Sequence, residues 1–374
     1  MSKFSSQIYS LAIFVGLSAC GTPNDSSGPD QVHAAYSPAT DSAFPASEGS
    51  VSTSGAASPT PVAKGSVAGE AGSGTDGVGG SQHVASLTAG SFSDALNLTA
   101  FMNYLQADAS TRVSLPDASP FTFEMELASL KAIVPVKPTT AATKLDIALV
   151  IDVTGSMGDE LSYLQKEWNT VTTSLQTLFP ALALRMSLVV YKDTTDEFVT
   201  AGIPFTESRE AFQAELAKYS AGGGGDQPEA VDAALATGNN LQWNADSRKV
   251  LFWVADAAPH ENKEAASVAE VLKLKEKGVS IYPLAASGIG PKAELVMRLG
   301  ALLTGGQYLF LTDDSGIGNS HAEPHIPCYT VEQLKHLLLR VLTDEVSGTR
   351  SEPKPEHVVR TVGKPVQGVC QPAP

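Results

Sequence analysis

Hydrophobic and polar positions change period sharply along this chain. Continuous apolar runs occupy residues 146–151, 185–191, 248–255, 279–286 and 306–311. Such runs read as strands buried on both faces. Between most of them apolar residues recur every three or four positions, the period of an amphipathic helix. Leu161, Leu164, Trp168, Val171, Leu175 and Leu178 form the clearest such series. "REAFQAELAKY" and "PEAVDAALATGNN" are also helical, the second with Pro228 in its first turn. "NKEAASVAEVLKLKEKG" ends on a C-capping Gly278, and "YTVEQLKHLLLRVLTDEV" closes the pattern as a helix. "VYKDTTDEFVTAGIPF" leaves no room for a helix, so it predicts a hairpin with an antiparallel strand at a sheet edge. The alternation predicts a doubly wound α/β domain over residues 144–346, a mostly parallel sheet flanked by helices. Ligands of such folds sit beyond the carboxyl ends of the strands.

Upstream the pattern weakens. Residues 84–143 read as a small α+β extension. "SDALNLTAFMNYL" predicts a short helix with Leu96, Phe101 and Leu105 on one side; the alternating Phe121, Phe123 and Met125 predict a strand. Residues 20–83 are Ser, Gly, Ala, Pro and Thr with few large apolar side chains, the composition of a disordered tether. A coil of about 60 such residues spans roughly 40–50 Å root mean square. Residues 1–19 carry Lys3 and then "IYSLAIFVGLSA", an apolar core too short to span a bilayer, which reads as a secretion signal. The string "LSAC" resembles the lipobox of bacterial lipoproteins. That resemblance implies cleavage before Cys20, lipidation of Cys20, and a cell-envelope protein whose partner is the membrane through this anchor. Gly21, where an acidic residue is absent, favours the outer membrane by the same analogy. An ordinary signal peptide with a chance cysteine is the alternative. Residues 347–374 form a C-terminal tail. Cys328 and Cys370 remain, and two thiols in an exported protein point to one disulfide.

Charge narrows the partners. The formal net charge is −15 and no cluster of Lys and Arg exists, which argues against nucleic acid.

The candidate chemistry lies in "LDIALVIDVTGSMGDEL", residues 145–161. A buried strand ends in Asp152, and hydroxyls follow at Thr154 and Ser156. Asp256 ends another strand in "VLFWVADAAPH", and Asp226 lies in the glycine-rich "AGGGGDQPEA" that opens a helix. The topology puts all three acids on one sheet edge. Three carboxylates and two hydroxyls with no Lys or Arg call for a hard divalent cation: Mg²⁺ first, with Mn²⁺ or Ca²⁺ as alternatives. Glu229 either orients Asp226 or a metal-bound water, or serves as a first-turn acid favoured by the helix dipole.

"DVTGSM", "GGGGD" and "VADAAPH" together resemble the von Willebrand factor type A domain and its metal-ion-dependent adhesion site. The resemblance covers residues 145–346. The usual motif is Asp-x-Ser-x-Ser, then a Thr, then an Asp; Asp152, Thr154 and Ser156 match the first part and Asp256 the last. The carboxylate of Asp226 stands where the Thr usually comes. That departure tightens a cation but weakens an acidic ligand. The resemblance implies metal-dependent binding of an unidentified protein partner, with no catalysis. A metal-assisted hydrolase and a purely structural ion are the alternatives. Other chemistries fit less well. A haloacid-dehalogenase-type phosphatase lacks its second Asp at Thr154, a serine hydrolase lacks Gly at Thr154, and no Lys-Ser/Thr pair follows Gly222–Gly225 as in a P-loop. His321 and His325 in "HAEPH" read as surface-loop residues, and His260 as a loop residue with a structural hydrogen bond.

Overall fold

The computed structural model describes residues 86–225, 227–286, 288–316 and 320–372. The signal segment 1–19, the linker 20–83 with Cys20, and Asp226 lie outside these residues.

The described chain begins with β1 (Thr88–Phe92), α1 (Leu98–Ala107) and α2 (Leu127–Ile133). The doubly wound part follows as β2 (Lys144–Asp152), α3 (Gly158–Leu178), β3 (Ala183–Tyr191), β4 (Thr200–Thr206), α4 (Arg209–Leu216), α5 (Val231–Asn240) and β5 (Arg248–Ala255). It continues through α6 (Glu264–Glu276), β6 (Val279–Ala285), α7 (Pro291–Thr304) and β7 (Tyr308–Thr312). Last come β8 (Tyr329–Gln333), α8 (Leu334–Ser347), β9 (Val358–Val362) and a hairpin of β10 (Pro365–Val366) and β11 (Val369–Cys370).

Nine strands form one sheet in the order β4-β3-β2-β5-β6-β7-β1-β8-β9. β3, β2, β5, β6 and β7 are mutually parallel, and β4 is the antiparallel edge strand expected after β3. The sheet does not stop at the ends of the doubly wound region. β1 lies between β7 and β8, antiparallel to both, and β9 extends the far edge.

Side-chain alternation along each strand separates two cores. Ile147, Leu149 and Ile151 of β2 join Val250, Phe252 and Val254 of β5 under α3, α4 and α8. Ala148, Val150, Leu251, Trp253 and Ala255 face α5, α6 and α7. Full burial of an Ile, Leu or Val contributes about 1.5–3 kcal/mol each, so both faces of the central strands are pinned and their ends cannot drift. Gly278, at φ +70° directly after the Lys277 C-cap, ends α6 in the left-handed conformation a side chain would resist.

Several elements differ from the sequence expectation. Phe121–Met125 is a turn, not a strand: Phe121 is buried and Phe123 and Met125 are half-buried against the same core. Three apolar residues at every second position can pack under α1 and α2 without a ladder. "YTVEQ" is β8 rather than the start of a helix, because β1 offers it an edge to pair with. Pro228 precedes α5 instead of lying in its first turn, since Glu229 is tied to the neighbouring strand end. Among the described residues no helix is long and apolar enough to cross a membrane.

The extension and the tail are fastened to the sheet by polar groups. Arg298 of α7 is fully buried. It donates to both Asp94 oxygens at 2.7 and 3.1 Å, to Glu294 at 3.1 Å and to the His325 carbonyl at 3.0 Å, and stacks 4.0 Å from the Tyr104 ring centroid. Asn97 donates to the Gly368 carbonyl at 2.8 Å and accepts from the Cys370 amide at 2.9 Å. A disulfide joins Cys370 to Cys328. Removing one partner of a buried ion pair strands the others. Arg298→Ala is therefore expected to lower stability by about 3–5 kcal/mol. In chemical denaturation the Arg298→Ala/Asp94→Ala pair should lose less than the sum of its single changes.

Candidate metal centre

β2 and β5 are adjacent and parallel, with Ile151 opposite Val254. Asp152 closes β2 beside Ala255, the last residue of β5, and Asp256 follows at once, so the register puts the two carboxylates at neighbouring strand ends. β2 leads outward to β3 and β5 inward to β6, which places the pair at the point where strand order reverses, where such sheets open a crevice.

Asp152 is fully buried. Its Oδ1 accepts from the Thr154 amide at 2.9 Å and the Thr154 hydroxyl at 2.7 Å. This local turn bends the chain back toward the strand end before α3 begins. Ser156 lies in the exposed 3₁₀ turn Gly155–Met157. The glycine run closes over this turn: the Gly155 amide donates to Gly223, and Gly222 donates to Val153. Gly223 and Gly224 have φ of +82° and +87°, and a Cβ at Gly224 would stand 2.8 Å from Glu229 Oε1 and 2.9 Å from Thr154 Cβ. Only a bare backbone passes between those two side chains. Glu229 sits before α5, not one turn into it as the sequence suggested. Its amide donates to the Ala258 carbonyl at 3.0 Å, and this tie to the loop after β5 aims it at the crevice.

The structure thus brings together Asp152, Thr154, Ser156, Glu229 and Asp256. Asp226 lies outside the described residues, but its neighbours Gly225 and Gln227 line a hollow of about 450 Å³ with Thr154, Ser156 and Glu229. Sequence reasoning missed Asp193 and Asp196. Both follow β3, in "YKDTTDEF", where they were absorbed into a hairpin. Asp193 is buried and meets His260 Nε2 at 2.6 Å; Asp196 accepts from the Gly224 amide at 2.9 Å and the Asp193 amide at 3.1 Å. The signal that could have found them was their place at the carboxyl end of the strand beside β2. Of the two histidines of "HAEPH", His325 is the exposed loop residue expected, its Nδ1 2.7 Å from Glu294, whereas the His321 side chain is buried, with Nδ1 2.8 Å from Asp313 and Nε2 3.9 Å from Glu160 of α3.

Electrostatics at the crevice are unbalanced. Burial, offset in part by Thr154 and reinforced by Asp256, pushes Asp152 up to about 7. Burial and then the charges of Asp152, Asp193, Asp196 and Asp256 push Glu229 up to about 8. Burial raises Asp256 as well; the Ser156 hydroxyl opposes this from nearby without closing a hydrogen bond. Among the described residues Asp152 Oδ2, Glu229 Oε2 and both oxygens of Asp256 are buried with no hydrogen-bond partner. Buried acceptors of this kind demand a donor or a cation. No group of three or more His, Cys, Asp and Glu among the described residues is arranged to hold an ion by itself. A cation held at this crevice would need the hydroxyls of Thr154 and Ser156 beside the carboxylates, as hard-cation sites allow. The donor set fits a small divalent cation.

Comparison with known proteins bears on the fold. Residues 146–289 match the family model of the von Willebrand factor A domain. The doubly wound sheet is accordingly a von Willebrand factor A-like fold. The A-domain region is 30% identical over 121 residues to an ariadne-like RING finger protein, R811, of Acanthamoeba polyphaga mimivirus, covering 32% of this chain and 12% of that protein. It is 24% identical over 125 residues to alpha-protein kinase vwkA of Dictyostelium discoideum, covering 33% of this chain and 20% of that one. The chain thus spans a fifth or less of the curated relatives it matches. Among solved structures, the conserved protein BatB of Bacteroides thetaiotaomicron aligns at TM-score 0.38 and 14% identity, over 55% of this chain and 98% of that one.

The raised carboxylates predict a pH signature. Asp152 and Glu229 hold protons in the folded A-like domain at pH values where the unfolded chain has lost them, so without metal stability falls as pH rises from about 4 to about 8. Melting temperatures in chelator should decline across that window, and Asp152→Asn should flatten the decline.

Proposed function

We propose that this protein is a cell-envelope lipoprotein, anchored through Cys20, whose A-like domain docks another protein through a divalent cation. The observation that carries the reading is the convergence of Asp152, Thr154, Ser156 and Asp256 on buried carboxylate oxygens with no partner. Asp152, Thr154 and Ser156 would hold the ion, with Asp256 and Asp226 direct or through water and Glu229 behind them. Mg²⁺ is the preferred ion, and when bound it supplies a Lewis-acid contact for one partner oxygen. The chain's own residues do the rest. Thr154 fixes the Asp152 carboxylate, the glycine run keeps the crevice open, and Asp196 holds that run in place through the Gly224 amide.

A second reading, metal-assisted hydrolysis, draws support from the His260–Asp193 pair beside the crevice, a carboxylate-oriented imidazole of the kind that serves as a base. We favour docking, because a bound cation alone accounts for the orphaned oxygens of Asp152, Glu229 and Asp256, without a base.

Calorimetric titration of Mg²⁺, Mn²⁺ and Ca²⁺ tests the site. Saturable binding is expected for the wild-type chain, with a loss of at least about tenfold in affinity for Asp152→Ala. A folded wild-type protein that takes up none of the three ions overturns the reading. Turnover of phosphoester or peptide substrates that is lost in His260→Ala would replace it with the hydrolytic one.

A further inference from the structure

Charge around the crevice constrains what can dock there. Four carboxylates, Asp152, Asp193, Asp196 and Asp256, lie within electrostatic reach of a fifth, Glu229. Glu160 of the first turn of α3 adds to the field at Asp256. Cations on the flanking loops and on α7 are already engaged. Lys192 reaches Glu197 at 3.3 Å, Lys292 reaches Glu264 at 2.8 Å, and His260 meets Asp193. A dication offsets two negative charges at most, while Asp193, Asp196 and exposed Glu261 remain around it, so the face stays anionic when the ion is in place.

Shape adds a path for an extended segment. The hollow over Thr154, Ser156 and Glu229 shares Gln227 with a second one of about 350 Å³. This second hollow runs from Asp256 past Pro228, Ala258 and Pro259 to Gly290 and Pro291 at the start of α7. Its walls are mainly small residues and prolines. Exposed Glu261 stands at its side, 4.0 Å from Lys292. Glu229 lines the first hollow and Asp256 the second; they are 3 and 1% exposed, and each carries buried oxygen with no hydrogen-bond partner.

Resting on the docking reading above, we infer that the occupant is a basic protein segment: a neutral oxygen from a Ser, Thr, Asn, Gln or backbone carbonyl, flanked by Lys or Arg. An acidic side chain approaching this face meets net repulsion that the ion does not cancel. A neutral oxygen completes the shell without that cost, and flanking cations gain from Glu261 and the uncompensated carboxylates. Specificity here comes as much from rejection of acidic segments as from attraction of basic ones.

A random short-peptide library probed with the labelled full-length chain tests this. In millimolar Mg²⁺ the bound peptides should show several-fold enrichment of Lys and Arg beside a Ser, Thr, Asn or Gln. The enrichment should vanish with chelator, weaken as salt is raised, and shrink in Glu261→Lys, a surface change that spares the fold. Mg²⁺-dependent enrichment of Asp or Glu would overturn the inference while leaving metal-dependent docking intact. Selection that ignores chelator, or no selection by a chain that binds Mg²⁺ calorimetrically, would overturn both.

Discussion

Repulsion among carboxylates that cannot move apart is the constraint around which the A-like domain is arranged. Asp152 and Asp256 are brought together by the parallel register of β2 and β5, and that register is fixed by two cores packed on opposite faces of the same strands. The chain cannot relieve the repulsion by slipping, since a shift of one residue would turn every core side chain of a strand to the wrong face. Relief has to come from protonation or from a cation. The loops around the acids then make sense as devices that keep the oxygens aimed and accessible: Thr154 ties one oxygen of Asp152, the bare backbone of Gly223 and Gly224 passes where no side chain fits, and Glu229 is held by the loop after β5.

Much of this was legible in the sequence because its signals are local. The apolar runs marked β2, β3, β5, β6 and β7 because strands buried on both faces need apolar residues without interruption. Asp152 and Asp256 stood out because a charge terminated such a run. What stayed hidden depends on contacts between distant residues. β1 and β8 are short and individually weak, and each is a strand because distant partners lie beside it, including the other, some 240 residues away along the chain. Glu229 was misplaced because propensity continues a helix backward through "PEAV", whereas its amide is taken by Ala258. Asp193 and Asp196 were overlooked because a polar loop after a strand reads as a turn, and only the neighbouring strand end gives it a role.

The extension and tail serve the sheet rather than the crevice. Asp94, Arg298 and Glu294 form a buried charge cluster between the loop after β1 and α7, and Asn97 with the Cys328–Cys370 disulfide pins the terminal hairpin to the same region. Breaking this cluster strands charge in a low dielectric, so its value lies in fixing one arrangement more than in net stabilisation.

The interior position of β1 gives the molecule a mechanical character. An edge strand can be peeled away one hydrogen bond at a time, but β1 is laddered to β7 on one side and to β8 on the other. Tension entering the chain at Ser86 must load two ladders together, and β7 passes part of that load toward β6 and β5. The folded body resists such a pull as a clamp does, and a bond made at the crevice would be strained across the width of the sheet before the first structured strand gave way.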